Sequence, residues 1–257
     1  RFPVLYMHDG QNLFDARDAS FGVAWEVDDT LDDLTARGLV EPVIVVGVDN
    51  TEDRISDYTP SADPEWGGAG NAAAYGRFLV DELKPWIDTT FRTRCGRLDT
   101  AVAGSSLGGL VSLYLLKTWP EVFGRAGAFS PSLWWNGREP LGWAGELAAA
   151  LGADGRLWVD GGNLEGSDPD LDGRGSVVAN NRALAEAAWA AGAEPLTALG
   201  YLETPFDQHN EAAWARRLPV ALAWLLGGPP AGAPESVGVR PFTSFLSPGI
   251  PRPISVD

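Results

Sequence analysis

Cysteine, histidine, lysine and long apolar runs are all scarce in this chain, and each scarcity removes a class of protein. The single cysteine, Cys95, excludes an internal disulfide, and with only two histidines it leaves too few soft ligands for a zinc site of the usual kind. No stretch reaches the ~20 apolar residues of a membrane span, and no charged-then-apolar leader begins the chain. Positive charge is also short: 19 Lys and Arg face 35 Asp and Glu, a formal net charge of −16. Such an excess opposes binding to nucleic-acid phosphates and anionic membranes and favours solubility. Neither nucleic acid nor a membrane is an expected partner, and the compartment is left open, with a soluble, cytoplasmic protein favoured. Arg1-Phe2-Pro3 runs at once into an apolar strand without an initiator Met, so a missing amino-terminal segment is expected, which could have carried an export signal.

What is present is a core and an alternation. Hydrophobic residues make up 45% of 257 residues, enough for one full α/β domain. Strands are expected at Val4 to His8, Val43 to Val48, Thr100 to Ala103, Arg125 to Phe129, Arg156 to Asp160 and Leu196 to Leu202. Helices are expected at Val23 to Arg37, Ala72 to Thr89, Leu107 to Thr118, Val177 to Ala191 and Glu211 to Leu226. Near-continuous apolar runs such as Val43-Ile44-Val45-Val46 belong to strands covered on both faces, and strand–helix alternation gives a mostly parallel, doubly wound sheet. Pro85 and Pro219 are expected to kink or shorten their helices. The catalytic domain is placed at 1–228, and 229–257, rich in Pro and Gly and poor in periodicity, reads as a loosely docked or disordered tail.

Gly104-Ser105-Ser106-Leu107-Gly108 spells G-x-S-x-G between an expected strand and an expected helix, the setting of a nucleophile elbow. A turn this tight strains the backbone of the central Ser, and side chains two positions to either side would collide, so glycine stands at both. The helix behind Ser106 aims unpaired N–H groups at the reacting centre. Ser105, beside it, is given a supporting role at most.

A serine hydroxyl needs a base, and in this topology the order is Ser, acid, His. Only His209 follows Ser106. It lies in a loop between a strand and a helix, where open α/β sheets display catalytic side chains. His8, excluded as base by chain order, reads as a shaping residue near the site. For the acid, Glu165 is the first choice and Asp160 the second, with Asp207 too near His209 in sequence to fit comfortably.

The runs Val4-Leu5-Tyr6-Met7-His8-Asp9-Gly10-Gln11-Asn12-Leu13-Phe14, Asp57-Tyr58-Thr59-Pro60, Gly104 to Gly109, Ser130-Pro131-Ser132-Leu133-Trp134-Trp135 and His209-Asn210-Glu211-Ala212-Ala213-Trp214 resemble the putative esterase family. That esterase D-like group of α/β-hydrolases includes siderophore esterases, feruloyl esterases and antigen 85-type mycolyltransferases. The resemblance covers residues 1 to about 226. It implies an α/β-hydrolase fold that here lacks its leading strands, with Ser106 as nucleophile, His209 as base and the acid at the end of Asp160 to Glu165, which favours Glu165. Some siderophore esterases of the group work with a Ser-His pair and no well-placed acid. One oxyanion donor should be the Leu107 N–H, and the resemblance supplies Gln11 N–H as the second. It also sets Trp134, Trp135, Arg54 and Tyr58 beside the substrate pocket, although core packing suits the tryptophans equally and an Arg–carboxylate pair suits Arg54.

The expected activity is serine ester hydrolysis on a small-molecule ester, with no metal or cofactor needed. Acyl transfer of the mycolyltransferase type would use the same residues, and a non-catalytic module on a hydrolase fold is the alternative from another class. Asp168-Pro169-Asp170-Leu171-Asp172-Gly173 imitates half of an EF-hand loop, but Ala179 stands where the bidentate Glu is required, so a solvated acidic loop is expected. Asp28, Asp29, Asp32 and Asp33 read as a wet helix face.

Overall fold

The computed structural model of the protein describes residues 1–66, 70–166 and 176–227. Six strands form one parallel sheet: β1 (Val4–His8), β2 (Ile44–Val48), β3 (Thr100–Ser105), β4 (Arg125–Phe129), β5 (Arg156–Gly162) and β6 (Leu199–Thr204). Their order is β2-β1-β3-β4-β5-β6. The chain leaves β1 toward one edge, then returns to pair β3 on its other side, so the winding reverses between β1 and β3. A crevice opens at such a reversal, beyond the carboxyl ends of the strands.

Alternation along the strands builds two cores. Val4, Tyr6, Val102, Ala126, Ala128, Leu157 and Val159 face one side, while Leu5, Met7, Ala101, Ala103 and Trp158 face the other. The first side is covered by α3 (Ala72–Arg77), α4 (Lys84–Thr90), α5 (Leu107–Thr118), α7 (Ala144–Leu151) and α8 (Val177–Ala190). The second is covered by α1 (Val27–Ala36) and α9 (Glu211–Leu226). Two single-turn helices, α2 (Arg54–Asp57) and α6 (Trp135–Arg138), lie in the connections. Helix α5 is apolar around most of its circumference because nearly all of its residues are buried, Leu110, Val111, Leu113, Leu115 and Leu116 among them. Truncating one such leucine to Ala costs about 2–5 kcal/mol.

Departures from the expected elements have local causes. Helix α1 starts at Val27, not Val23, because Glu26 adopts a left-handed backbone at φ 55°. Strand β6 starts at Leu199, not Leu196, because Leu196 is left-handed at φ 67°. The Pro85 kink takes the form of a π-wound segment, Phe78–Leu83, joining α3 to α4 where proline removes a donor. Helix α9 continues through Pro219. Helix α7 has no counterpart among the expected elements, since it is short and its only large apolar side chains are Leu147 and Leu151, one turn apart. The four aspartates of α1 are exposed. The Pro/Gly-rich tail 229–257 and the acidic loop 168–173 lie outside the described residues. Among the described residues no helix is long and apolar enough to cross a membrane, and no group of three or more His, Cys, Asp or Glu is placed to hold a metal ion.

Candidate active site

Ser106 stands between β3 and α5 with φ 56° and ψ −121°, a backbone few non-glycine residues adopt. The turn is held by the Ser106 N–H to the Phe129 carbonyl at 2.9 Å and by the Ser132 N–H to the Ser106 carbonyl at 3.0 Å. A Cβ at Gly104 would lie 2.9 Å from the Gly108 carbonyl carbon and 3.0 Å from the His8 ring, so the crossing of strand and helix requires glycine there. The N–H of Leu107 belongs to the first turn of α5 and has no intrahelical acceptor. The Ser106 hydroxyl lies 3.2 Å from the Ser132 hydroxyl, and no hydrogen bond joins it to His209 in this structure.

The loop after β6 carries His209, and its Nδ1 lies 2.8 Å from Glu165 Oε2. Glu165 is buried, and its other oxygen, Oε1, accepts from Ser130 Oγ at 2.7 Å, from the Gly162 N–H at 2.6 Å and from Arg217 Nη2 at 3.3 Å. The two oxygens are thus distinguished, one saturated by the scaffold and one left for the imidazole. The Trp214 ring stands edge-on to His209, with centroids 5.0 Å apart.

The other two carboxylates have other partners. Asp160 takes the Trp158 indole N–H at 2.8 Å and faces Arg217 at 3.1 Å. Burial pushes its carboxyl up to about 6 despite the Arg217 charge. Asp207 pairs with Arg216 at 2.5 Å and Arg217 at 3.0 Å. Burial works against its charge, but hydrogen bonds from Arg216, Thr204 and Arg217 hold it below the usual carboxylate range.

On the β1 side, Asp9 and Gly10 form a turn leading into a 3₁₀ segment, Gly10–Asn12. Asp9 accepts two hydrogen bonds from Arg54, at 2.6 and 2.8 Å, and one from Asn50 Nδ2 at 2.6 Å. The Tyr58 hydroxyl accepts the Asp9 N–H at 3.2 Å. His8 is buried with Nδ1 2.8 Å from the Tyr75 hydroxyl, and burial drives its imidazole down to about 4. A cavity of about 800 Å³ opens between these loops, lined by Asp9, Arg54, Phe21, Ser106, His209 and Trp214 among others.

The structure therefore brings Ser106, His209 and Arg54 to one cavity, with Glu165 behind His209. Trp134, Trp135, Tyr58, Leu107 and Gln11 are not among the residues lining it. Trp135 is buried, donating its indole N–H to the Ser61 carbonyl at 3.0 Å, and the half-buried Trp134 lies against Trp66 and Trp135. The Gln11 side chain ties Ser20 to the Asn50 N–H. Sequence reasoning gave no role to Ser130, Ser132, Trp214 or Arg217. Arg217 left a signal: it falls on the apolar face of α9 with Trp214, Leu218 and Ala221, and an arginine there requires buried acidic partners.

A family model described as "Putative esterase" matches residues 1–225. Among curated proteins, the chain is similar to an endo-1,4-beta-xylanase/feruloyl esterase of Xylanibacter ruminicola, 32% identical over 132 residues, which are 51% of this chain and 16% of that protein. It is similar also to ferri-bacillibactin esterase BesA of Bacillus subtilis, 31% identical over 150 residues, 52% of this chain and 49% of that one. The match thus spans less than half the length of either relative. Among solved structures, the BES protein from Bacillus cereus superposes with a TM-score of 0.68 at 24% identity, covering 87% of this chain and 82% of that one. With the parallel six-stranded sheet, that likeness shows an α/β-hydrolase fold.

Proposed function

Because the chain belongs to the family described as "Putative esterase", we propose that it is a serine carboxylic-ester hydrolase working through an acyl-enzyme on Ser106. The observation that carries this reading is a strained serine at a helix N-terminus opening onto the same cavity as a histidine whose far nitrogen is held by a buried carboxylate. With Nδ1–H donated to Glu165, the imidazole presents Nε2 as acceptor, the tautomer a general base requires.

Ser106 turns from Ser132 to His209 and gives up its proton as Oγ attacks the ester carbonyl. The oxyanion then forms beside the N–H groups of Leu107 and Gln11, neither of which has a backbone acceptor among the described residues. His209 returns the proton to the leaving alcohol, and water repeats the sequence on the acyl-enzyme. Arg54, fixed along one edge by Asp9, keeps its remaining N–H groups for substrate oxygens.

A fluorophosphonate should label Ser106 once, and hydrolysis of p-nitrophenyl acetate should vanish in Ser106→Ala. Folded protein that resists the label, or a Ser106→Ala variant that still turns over, defeats the reading. The relatives named above direct a substrate panel to feruloyl esters and ferri-bacillibactin, and product analysis with an added alcohol separates hydrolysis from acyl transfer.

A further inference from the structure

The Ser130-Pro131-Ser132 segment touches both ends of the proposed catalytic array. Ser132 meets the Ser106 hydroxyl, and Ser130, the residue directly after β4, meets Glu165. Ser130 is wholly buried, and its backbone is left-handed at φ 45°, a conformation held by its N–H donating to the Asp160 carbonyl at 2.9 Å.

The hydroxyl of Ser130 has three partners, and their chemistry fixes its direction. Trp214 Nε1 at 2.9 Å and Arg217 Nη2 at 2.7 Å can only donate, so together they occupy both lone pairs. The single hydroxyl proton is left for Glu165 Oε1 at 2.7 Å. We propose that Ser130 is a positioning residue: its hydroxyl, oriented by Trp214 and Arg217, pins one oxygen of Glu165 so that the other meets His209.

Without that clamp, Glu165 Oε1 keeps only the Gly162 N–H and Arg217, and the Arg217 group now donating to Ser130 becomes free to draw the carboxylate toward itself. The Glu165–His209 bond then loses its fixed geometry. Trp214 joins the same device from the other side, since its indole N–H orients Ser130 while its ring edge confines the imidazole.

The inference rests on the reading of Ser106, His209 and Glu165 given above, and the test keeps the two apart. Ser130→Gly removes the hydroxyl and relieves the left-handed backbone, so the fold is retained. Expected for this variant is a fall in kcat on the order of 10- to 100-fold, the worth of one hydrogen bond to a charged group, with KM unchanged. A proton NMR spectrum supplies a second readout: the downfield Nδ1–H resonance of His209, easily assigned with two histidines in the chain, should broaden or move upfield. Merely structural damage would lower the melting temperature without that change.

Wild-type kcat and an unaltered resonance in folded Ser130→Gly would overturn the proposal. If Ser106→Ala is dead in the same assay, only the role of Ser130 falls; if Ser106→Ala is active, the underlying reading falls. Should Ser130→Gly not fold, Trp214→Phe carries the test by deleting one of the two donors that orient the hydroxyl. It should shift both readouts the same way by a smaller amount, and unshifted readouts would overturn the proposal.

Discussion

Replacing Glu165 by Gln removes one charge and almost no volume, and the structure dictates how the amide must sit. Three donors converge on Oε1: Ser130 Oγ, the Gly162 N–H and Arg217 Nη2. An amide nitrogen cannot accept any of them, so the amide oxygen must take that place and the NH₂ must take the place of Oε2, 2.8 Å from His209 Nδ1. His209 then has to accept at Nδ1 and carry its proton on Nε2, the nitrogen that the proposed mechanism uses as base. Holding an imidazole in the wrong tautomer costs about 10⁴ in kcat where the same exchange has been made in a serine protease triad. KM should stay near the wild-type value, because Glu165 is not among the residues lining the cavity and the shape of that lining is unchanged. Stability should fall by about 1–2 kcal/mol, as charge-assisted hydrogen bonds become neutral ones, while Arg217 keeps Asp160 and Asp207. Steady-state hydrolysis of p-nitrophenyl acetate, with a thermal melt on the same sample, measures both quantities. A folded Glu165→Gln enzyme within tenfold of wild-type kcat would show that the tautomer argument is wrong and that His209 works without its carboxylate.

Three further outcomes follow from the same geometry. An imidazole kept neutral by burial, as His8 is at about 4, binds its proton first in the unfolded chain, so it subtracts stability as pH falls from 6.5 toward 4; Asp160, raised to about 6, does the reverse between 6 and 4. At ~1.4 kcal/mol per unit each effect reaches at most about 3 kcal/mol, so urea unfolding should show His8→Asn gaining on wild type as pH drops from 6 to 4 and Asp160→Asn losing; parallel curves would contradict both assignments. Gly162→Ala places a Cβ on the Asp207 carbonyl, in the loop that carries His209; it should lower kcat at least tenfold and cost about 1–3 kcal/mol, and an unaffected enzyme would mean that this loop does not set the histidine. Phe21 lines the cavity yet is 76% exposed, so Phe21→Ala should raise KM for aryl esters severalfold without moving the melting temperature; an unchanged KM would remove it from the binding surface.

Much of the scaffold is written locally. The strand Arg125–Phe129 and the helices Leu107–Thr118 and Glu211–Leu226 fall on the boundaries that apolar periodicity indicates. Boundaries moved where a single residue turned left-handed, at Glu26 and Leu196, since backbone handedness of a non-glycine residue leaves no mark in composition. The elbow was legible because its strain demands glycines at fixed offsets. Trp134 and Trp135 stand apart from the cavity lining because proximity in sequence to a site says nothing about which side of a loop faces it.

Motif position, chain order and residue type alone singled out Ser106 and His209 as candidates, because Ser106 holds the central place of the G-x-S-x-G run and the chain has one histidine after it. They rank Glu165 ahead of Asp160 and Asp207 only by place in the chain and by family resemblance, since all three are carboxylates within reach of the expected order. That choice depends on hydrogen bonds joining β4, the loop after β5, and α9, segments brought together only when the sheet closes with helices on both faces. Arg217 engages all three carboxylates, and Ser130 and Gly162 orient one of them, so burial and donor geometry assign the partner of His209.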